Sequence, residues 1–107
     1  MADFCQVTTT LPDQAGAERL GATLVQERLA ACAQVAGPVS SVYWWQGKVE
    51  RAGEWYCHLK TTRDKLSGLQ RRLRELHPYE VPEMVVVPLA GGDPAYLKWI
   101  EDTVGLD

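Results

Sequence analysis

The stretch "VYWWQGKVE", residues 42–50, decides the fold. β-branched and aromatic residues flank the dipeptide Gln46-Gly47, and this pattern predicts a β-hairpin with its turn at the dipeptide. The first strand reaches back to about residue 34, with a bend or bulge expected at Gly37-Pro38. The second strand runs from about 48 to 61. Two long antiparallel strands therefore occupy the centre of the sequence.

A helix is predicted on each side of this hairpin. Apolar residues recur at steps of three and four over residues 14–32, from Asp13 as a candidate N-cap to Cys32 at the end of the apolar stripe. Gly16 and Gly21 weaken the helix propensity, and we interpret them as small residues needed for close helix–sheet contact. After the hairpin, leucines at positions 66, 69, 73 and 76 predict a second helix, with Thr61-x-x-Asp64 as a candidate capping box.

Two outer strands and a last helix complete the pattern. Residues 4–10 and 84–89 are rich in β-formers, and Asp93-Pro94 is a typical helix start. The predicted order is β-α-β-β-α-β plus a short C-terminal helix. This order is typical of the α+β, ferredoxin-like fold, an antiparallel sheet with two helices on one face. The length of 107 residues suits a single domain over 1–107.

Composition excludes several classes of function. The net charge of −3 argues against a nucleic-acid surface, and we interpret the basic stretch 71–74 as a solvated helix face. The sequence has no apolar run of roughly 18 residues and no basic, then apolar, N-terminal segment, so neither a membrane span nor a secretory signal is predicted. Three cysteines without a C-x-x-C motif predict free thiols and a cytoplasmic protein.

The aromatic residues of the hairpin predict an oligomer. Adjacent residues of a strand face opposite sides, so a sheet covered by helices on one face can bury only one of Trp44 and Trp45. The other tryptophan, with Tyr43 or Tyr56, would be exposed on a monomer. Exposed aromatic patches of this kind are typical of protein interfaces, and we expect these four residues to contact neighbouring subunits.

Residues 77–83, "HPYEVPE", combine a stiff backbone with reactive side chains. The two prolines end the preceding helix and rigidify the loop. His77 has three readings: a structural residue at the end of the helix, a ligand-binding residue, or a metal ligand together with Glu83. The spacing is not that of a zinc site. Cys32 and Cys57 are predicted to be core residues.

No catalytic machinery is recognisable in the sequence, so we do not expect an enzyme. Glu80 and Glu83 are not convincing acid–base partners, because nothing fixes their separation. The first strand–helix connection, "TTTLPDQ", has neither the C-x-x-C of a metallochaperone nor the arginine and glycines of an acylphosphatase loop.

Five segments together resemble the CutA family, the divalent-cation tolerance proteins: "RLAACAQV", "SVYWWQGKVE", "LKTT", "ELHPYEVPE" and "DPAYLKWI". The similarity extends over about residues 5–104. It implies a ferredoxin-like protomer and a tight homotrimer assembled like the PII signalling proteins. It also implies a role in tolerance of copper and other divalent metals, without an established catalytic activity.

This chain departs from the family at the residues that a copper site would need. The proposed copper site of the family includes a cysteine in the first strand, where this sequence has Thr9, and some members carry a second histidine where it has Leu76. The resemblance therefore implies a weaker metal site, or one assembled between subunits. The alternative is a PII-like sensor that binds a small anionic ligand between subunits, in a cleft formed by Lys60, Tyr79, Glu80 and Trp44.

Overall fold

The structure is a computed structural model that describes residues 3–105. Among these residues it has a four-stranded antiparallel sheet in the order β2-β3-β1-β4, which confirms the predicted fold class. The elements follow the predicted order: β1 (Phe4–Leu11), α1 (Gln14–Gln26), β2 (Cys32–Trp45), β3 (Lys48–Thr62), a 3₁₀ turn (Arg63–Lys65), α2 (Leu66–Leu76), β4 (Val85–Pro88) and α3 (Pro94–Val104). No helix within residues 3–105 is long and apolar enough to cross a membrane.

The main core lies between the sheet and the pair α1 and α2. Alternate residues of β1 and β3, including Val7, Leu11 and Leu59, are buried against Leu24 and Leu73 from the two helices. The predicted alternation in β3 is confirmed, because Cys57 and Leu59 are buried while the intervening residues are only partly so. Helix α3 forms a second apolar cluster, in which Ile100 and Val104 pack with Phe4. Since Phe4 alternates with the core-facing residues of β1, α3 covers the other face of the sheet.

Helix α1 ends at Gln26, so the prediction that it continues to about residue 32 is wrong. Arg28 has a φ of 63°, and the amides of Leu29 and Ala30 both bond to the carbonyl of Leu24. The chain turns there, and Cys32 begins β2 as a partly exposed residue and not as a core residue. The apolar residues at 29–32 belong to this turn and to the start of β2. Their spacing of three or four residues from the helix is the same as that of further helical residues, so periodicity alone could not show where α1 ends.

The helix starts were predicted with mixed success. Asp13 accepts a hydrogen bond from the Gly16 amide at 2.6 Å, and Asp93 accepts one from the Tyr96 amide at 3.1 Å. Both predicted N-caps are therefore confirmed. The predicted capping box is wrong, because the Thr61 hydroxyl donates to the Leu29 carbonyl at 2.7 Å, and a 3₁₀ turn separates Thr61 from α2. The buried Thr61 hydroxyl thus has its hydrogen-bond partner in the turn after α1 and does not cap α2.

Strands β2 and β3 extend well beyond the rest of the sheet. β1 pairs with β3 only from Trp55 to Thr62, so residues 39–45 and 48–54 form a two-stranded ribbon without a third strand. The register shifts between Ala36 and Val39, which confirms the bulge expected at Gly37-Pro38. Trp44 is 74% exposed and Trp45 41% exposed, so the expectation that the sheet buries one of them is wrong. Within residues 3–105 the base of the ribbon contacts the loop after α2 through Glu54 and Tyr79, whereas the aromatic side chains toward its tip remain exposed.

Candidate functional site

His77 anchors the loop 77–83 to the end of β1. It is 8% exposed, and its Nε2–H donates to the Thr10 carbonyl at 2.8 Å. Its Nδ1 therefore carries the lone pair, which accepts a hydrogen bond from the Tyr79 amide at 3.1 Å. Burial lowers the pKa of His77, partly offset by the bond to Thr10 and by the negative charge of Glu54. Both ring nitrogens of the neutral imidazole therefore form hydrogen bonds to the backbone, which favours the structural reading of His77.

Two further hydrogen bonds tie the loop to the sheet. The hydroxyl of Thr9, a fully buried residue, donates to the Glu83 carbonyl at 2.6 Å. The Tyr79 hydroxyl donates to Oε2 of Glu54 at 2.9 Å, which joins the loop to β3 of the ribbon. Burial is the main cause that raises the pKa of Tyr79, and the Glu54 carboxylate adds to it. The loop is therefore held at both of its ends and at its centre.

A cleft of about 650 Å³ lies between this loop and the ribbon. Its wall combines carboxylates, aromatic rings and small hydroxyls, and among residues 3–105 no lysine, arginine or histidine lines it. The lining residues are Thr10, Ser40, Ser41, Val42, Tyr43, Trp45, Glu54, Tyr56, Pro78, Tyr79, Glu80, Val81 and Glu83. The volume is in the range of small-molecule sites, roughly 300–1,000 Å³.

The structure brings together only part of the predicted ligand cleft. Tyr79 and Glu80 line it, whereas Lys60 and Trp44 lie outside it. The Lys60 ammonium donates to Oε1 of Gln34, a residue of the neighbouring strand β2, at 2.9 Å. Three residues predicted for the trimer interface also line the cleft: Tyr43, Trp45 and Tyr56.

Sequence reasoning missed Glu54, the buried carboxylate of the cleft. It is 7% exposed and precedes the core-facing Trp55 in β3. The available signal was its spacing of two from Tyr56, which places both residues on one face of the strand. A buried carboxylate on that face needs a polar partner or a ligand. Its partner is Tyr79, which lies 25 residues away in the sequence and is brought to Glu54 by the fold.

The residues predicted to bind a metal do not fit one in this chain. A metal ion at His77 would have to displace one of the two hydrogen bonds of its ring. Thr9, which stands where the proposed copper site of the family has a cysteine, bonds through its hydroxyl to the Glu83 backbone carbonyl. Among the described residues, no three His, Cys, Asp or Glu side chains are grouped so that they could hold an ion.

The cysteines do not replace the missing ligands. All three are free thiols, and Cys5 and Cys57 are buried, the latter as predicted. Burial raises the pKa of Cys57 to about 11, which disfavours the thiolate that a metal needs. The partly exposed Cys32 has its sulfur 3.5 Å from the Tyr96 hydroxyl, on the side of the sheet near α3.

Comparisons with known proteins identify the family. Residues 5–103 match the family model described as CutA1 divalent ion tolerance protein. The divalent-cation tolerance protein CutA of Pectobacterium atrosepticum is 37% identical over 100 residues, 94% of this chain and 91% of that protein. The rice protein CutA 1, chloroplastic, is 35% identical over 97 residues, but this chain spans only 55% of its length.

Solved structures agree with these sequence matches. CutA from Xylella fastidiosa superposes with a TM-score of 0.93 at 39% identity, covering 96% of this chain and 99% of that one. The periplasmic divalent cation tolerance protein CutA from Archaeoglobus fulgidus gives a TM-score of 0.90 at 32% identity, covering 94% and 98%. Sequence and fold thus agree over nearly the whole length of the chain, which belongs to the CutA1 divalent ion tolerance protein family.

Proposed function

We propose that this chain is a divalent-cation tolerance protein that acts as a homotrimer with a PII-like assembly and without catalytic activity. The names of its relatives support the link to divalent cations. The observation that carries the assembly is the ribbon of β2 and β3, whose large apolar side chains are exposed on the single chain. Neither nucleic acid nor a membrane is among the proposed partners, and the free thiols favour a reducing compartment such as the cytoplasm.

The ribbon has the composition of an interface. Five of its large apolar side chains are between 41% and 74% exposed: Val42, Tyr43, Trp44, Trp45 and Val49. The sheet also has two open edges, the long β2 and the short β4 with its exposed Val85 and Val87. Contact between two different surfaces of neighbouring copies generates a closed ring when the rotation between copies closes. A three-membered ring would cover both the aromatic ribbon and the open edges.

Light scattering on a gel-filtration column tests this assembly. We expect a mass about three times the 11.9 kDa of the chain for the wild type, and a smaller species for Trp44→Ser. Trp99→Ser is the matched control, because Trp99 is 44% exposed but lies on α3, away from the ribbon. A monomeric wild type at micromolar concentration would refute the trimer.

Copper binding at His77 needs a separate experiment. Because both ring nitrogens are hydrogen-bonded, we expect His77→Ala to bind copper with the affinity of the wild type in calorimetry at about pH 7.5. Circular dichroism should show that the variant remains folded. Loss of copper binding in a folded His77→Ala protein would make His77 a ligand and would contradict the structural role.

The second candidate is a trimeric small-ligand sensor of the PII type. The cleft between the loop and the ribbon favours it, since its volume of about 650 Å³ lies within the range of small-molecule sites. The predicted anionic ligand does not suit this cleft, because Lys60, its predicted cation, lies outside the lining.

A further inference from the structure

We propose that His77 is a pH-sensitive latch, whose protonation in mild acid releases the loop 77–83 from the ribbon while the rest of the chain stays folded. All the groups involved belong to one chain, and the latch depends on hydrogen bonds, not on the exposure of a surface. Three features of the loop carry the inference: the two different bonds of the imidazole, the link from Tyr79 to the ribbon, and the fixed ends of the loop.

The imidazole of His77 lies between a backbone acceptor and a backbone donor. The Thr10 carbonyl accepts from Nε2–H at 2.8 Å, and the Tyr79 amide donates to Nδ1 at 3.1 Å. Only the neutral ring with its proton on Nε2 fits both partners. A second proton would lie on Nδ1 and point at the Tyr79 N–H, so a contact between two donors would replace the bond that holds the loop.

The groups around the ring do not remove this conflict. Titratable groups face His77 and the adjacent Tyr79 from β3, from β2 and from the cap of α1: Glu54, Tyr43 and Asp13. The Glu54 carboxylate and the C-terminal end of α2, where the Leu73 carbonyl accepts from the His77 amide, favour the charged ring. Burial has the larger effect and lowers the pKa of His77.

Tyr79 transmits the change to the ribbon. Its amide bonds to the imidazole, and its hydroxyl donates to Oε2 of Glu54 at 2.9 Å. The two rings of His77 and Tyr79 are also in contact, with centroids 4.9 Å apart. Movement of the Tyr79 backbone away from a protonated His77 therefore also weakens the bond to Glu54. Since Tyr79 lines the cleft, release of the loop moves one wall of the cleft.

The two ends of the loop are held by bonds that do not titrate. The Thr9 hydroxyl donates to the Glu83 carbonyl at 2.6 Å, and the His77 amide donates to the Leu73 carbonyl at 2.9 Å. Neither bond contains a group that gains or loses a proton in mild acid. The opening is therefore confined to the segment between these two anchors, residues 78–82.

The latch should operate below about pH 6.5. In the open loop the imidazole has its reference pKa of about 6.5, whereas in the closed loop the pKa is lower. Between these two values opening takes up one proton, so the equilibrium constant for opening rises up to about tenfold for each unit of pH. At higher pH both forms are neutral and the loop stays closed.

Hydrogen exchange of the backbone amides measures this opening in the wild-type protein as it assembles in solution. We expect the protection factor of the Tyr79 amide, corrected for the intrinsic rate of exchange, to fall about tenfold between about pH 7.5 and pH 5. The Ala31 amide, which donates to the Lys60 carbonyl of β3, should keep its protection. Constant protection at Tyr79, or an equal loss at both amides, would overturn the proposal.

The second histidine of the chain gives a matched control. His77→Gln retains a donor and an acceptor but does not titrate, so we expect the protection of the Tyr79 amide to become independent of pH. His58→Gln should keep the pH dependence of the wild type, because His58 bonds to the Thr8 hydroxyl on the sheet and not to the loop. A pH dependence that persists in His77→Gln would assign the proton to another group and refute the latch.

Tyr79→Phe is a further test that leaves the imidazole in place, and it decides the matter if His77→Gln does not fold. The variant lacks the bond to Glu54, so we expect weaker protection of the amide of residue 79 at neutral pH, with the pH dependence of the wild type. Loss of that pH dependence would identify the pair of Tyr79 and Glu54 as the sensor and exclude His77.

Discussion

At the scale of single residues, His77 illustrates how a reactive side chain can be structural. Its Nε2–H and its Nδ1 lone pair bond to two different backbone groups, so the neutral ring joins the end of β1 to the loop. Protonation would place a second N–H against the Tyr79 amide and break that bond. Burial acts in the same direction, because it disfavours the charged form.

The expected consequence is a pKa of His77 below the reference value of about 6.5, with the proton on Nε2 in the neutral ring. Because the unfolded chain takes up the proton at higher pH than the folded one, the free energy of unfolding should fall as the pH drops below about 6.5. Nuclear magnetic resonance of the imidazole nitrogens measures both the pKa and the tautomer, and His58→Gln assigns the resonances. A His77 pKa above the reference value would contradict this account.

At the scale of elements, the contact between α1 and the sheet depends on Gly21. A Cβ atom at this position would lie 2.7 Å from Cβ of Ala33 and 3.3 Å from the sulfur of Cys57. Ala33 Cβ is attached directly to the backbone of β2 and cannot rotate away. The prediction of a close helix–sheet contact is therefore confirmed for Gly21 but wrong for Gly16, where the atoms nearest to an added Cβ belong to the side chains of Asp13 and Arg19.

This contact predicts that Gly21→Ala destabilises the protein although alanine is the better helix former. The gain in helix propensity is about 1 kcal/mol, whereas overpacking a core costs about 1–3 kcal/mol. Gly68→Ala in α2 is the control, because its Cβ would meet only the end of the Leu29 side chain, at 3.3 Å. Denaturant titration should show a lower free energy of unfolding for Gly21→Ala than for Gly68→Ala. The reverse order would mean that α1 can shift away from the sheet.

At the scale of the whole molecule, the ribbon makes the chain elongated, with extents of 44, 25 and 22 Å. It carries Tyr43, Trp44 and Trp45 away from the core, and together with the loop 77–83 it forms the cleft. The same projection therefore creates both the proposed interface and the proposed ligand site. Tyr43 and Trp45 line the cleft, whereas Trp44 on the other side of the strand does not.

Assembly through the ribbon should make thermal stability depend on protein concentration. Association stabilises the folded state by mass action, so the unfolding temperature of a trimer rises as the protein becomes more concentrated. Differential scanning calorimetry over a hundredfold range of concentration measures the effect. A constant unfolding temperature for the wild type, equal to that of Trp44→Ser, would indicate a chain that folds and unfolds as a monomer.

The sequence by itself determined the order of the elements and two of the helix starts. These features depend on local chemistry: the periodicity of apolar residues, the turn at Gln46-Gly47, and the aspartates that cap α1 and α3. Tertiary structure helped to decide where α1 ends, because the chain after the turn at Arg28 joins the sheet, with the Ala31 amide donating to the Lys60 carbonyl of β3 at 2.8 Å.

The site was decided mostly by tertiary structure. The sequence singled out the loop 77–83 as a segment with surplus polar chemistry, and the structure places Tyr79 and Glu80 of this loop in the lining of the cleft. It could not show that His77 bonds to Thr10, 67 residues away, or that Glu54 meets Tyr79 across 25 residues. Burial and hydrogen bonding between distant segments decide whether a histidine or a carboxylate is structural or free to bind. Those contacts exist only once the sheet has brought the ribbon, β1 and the loop together.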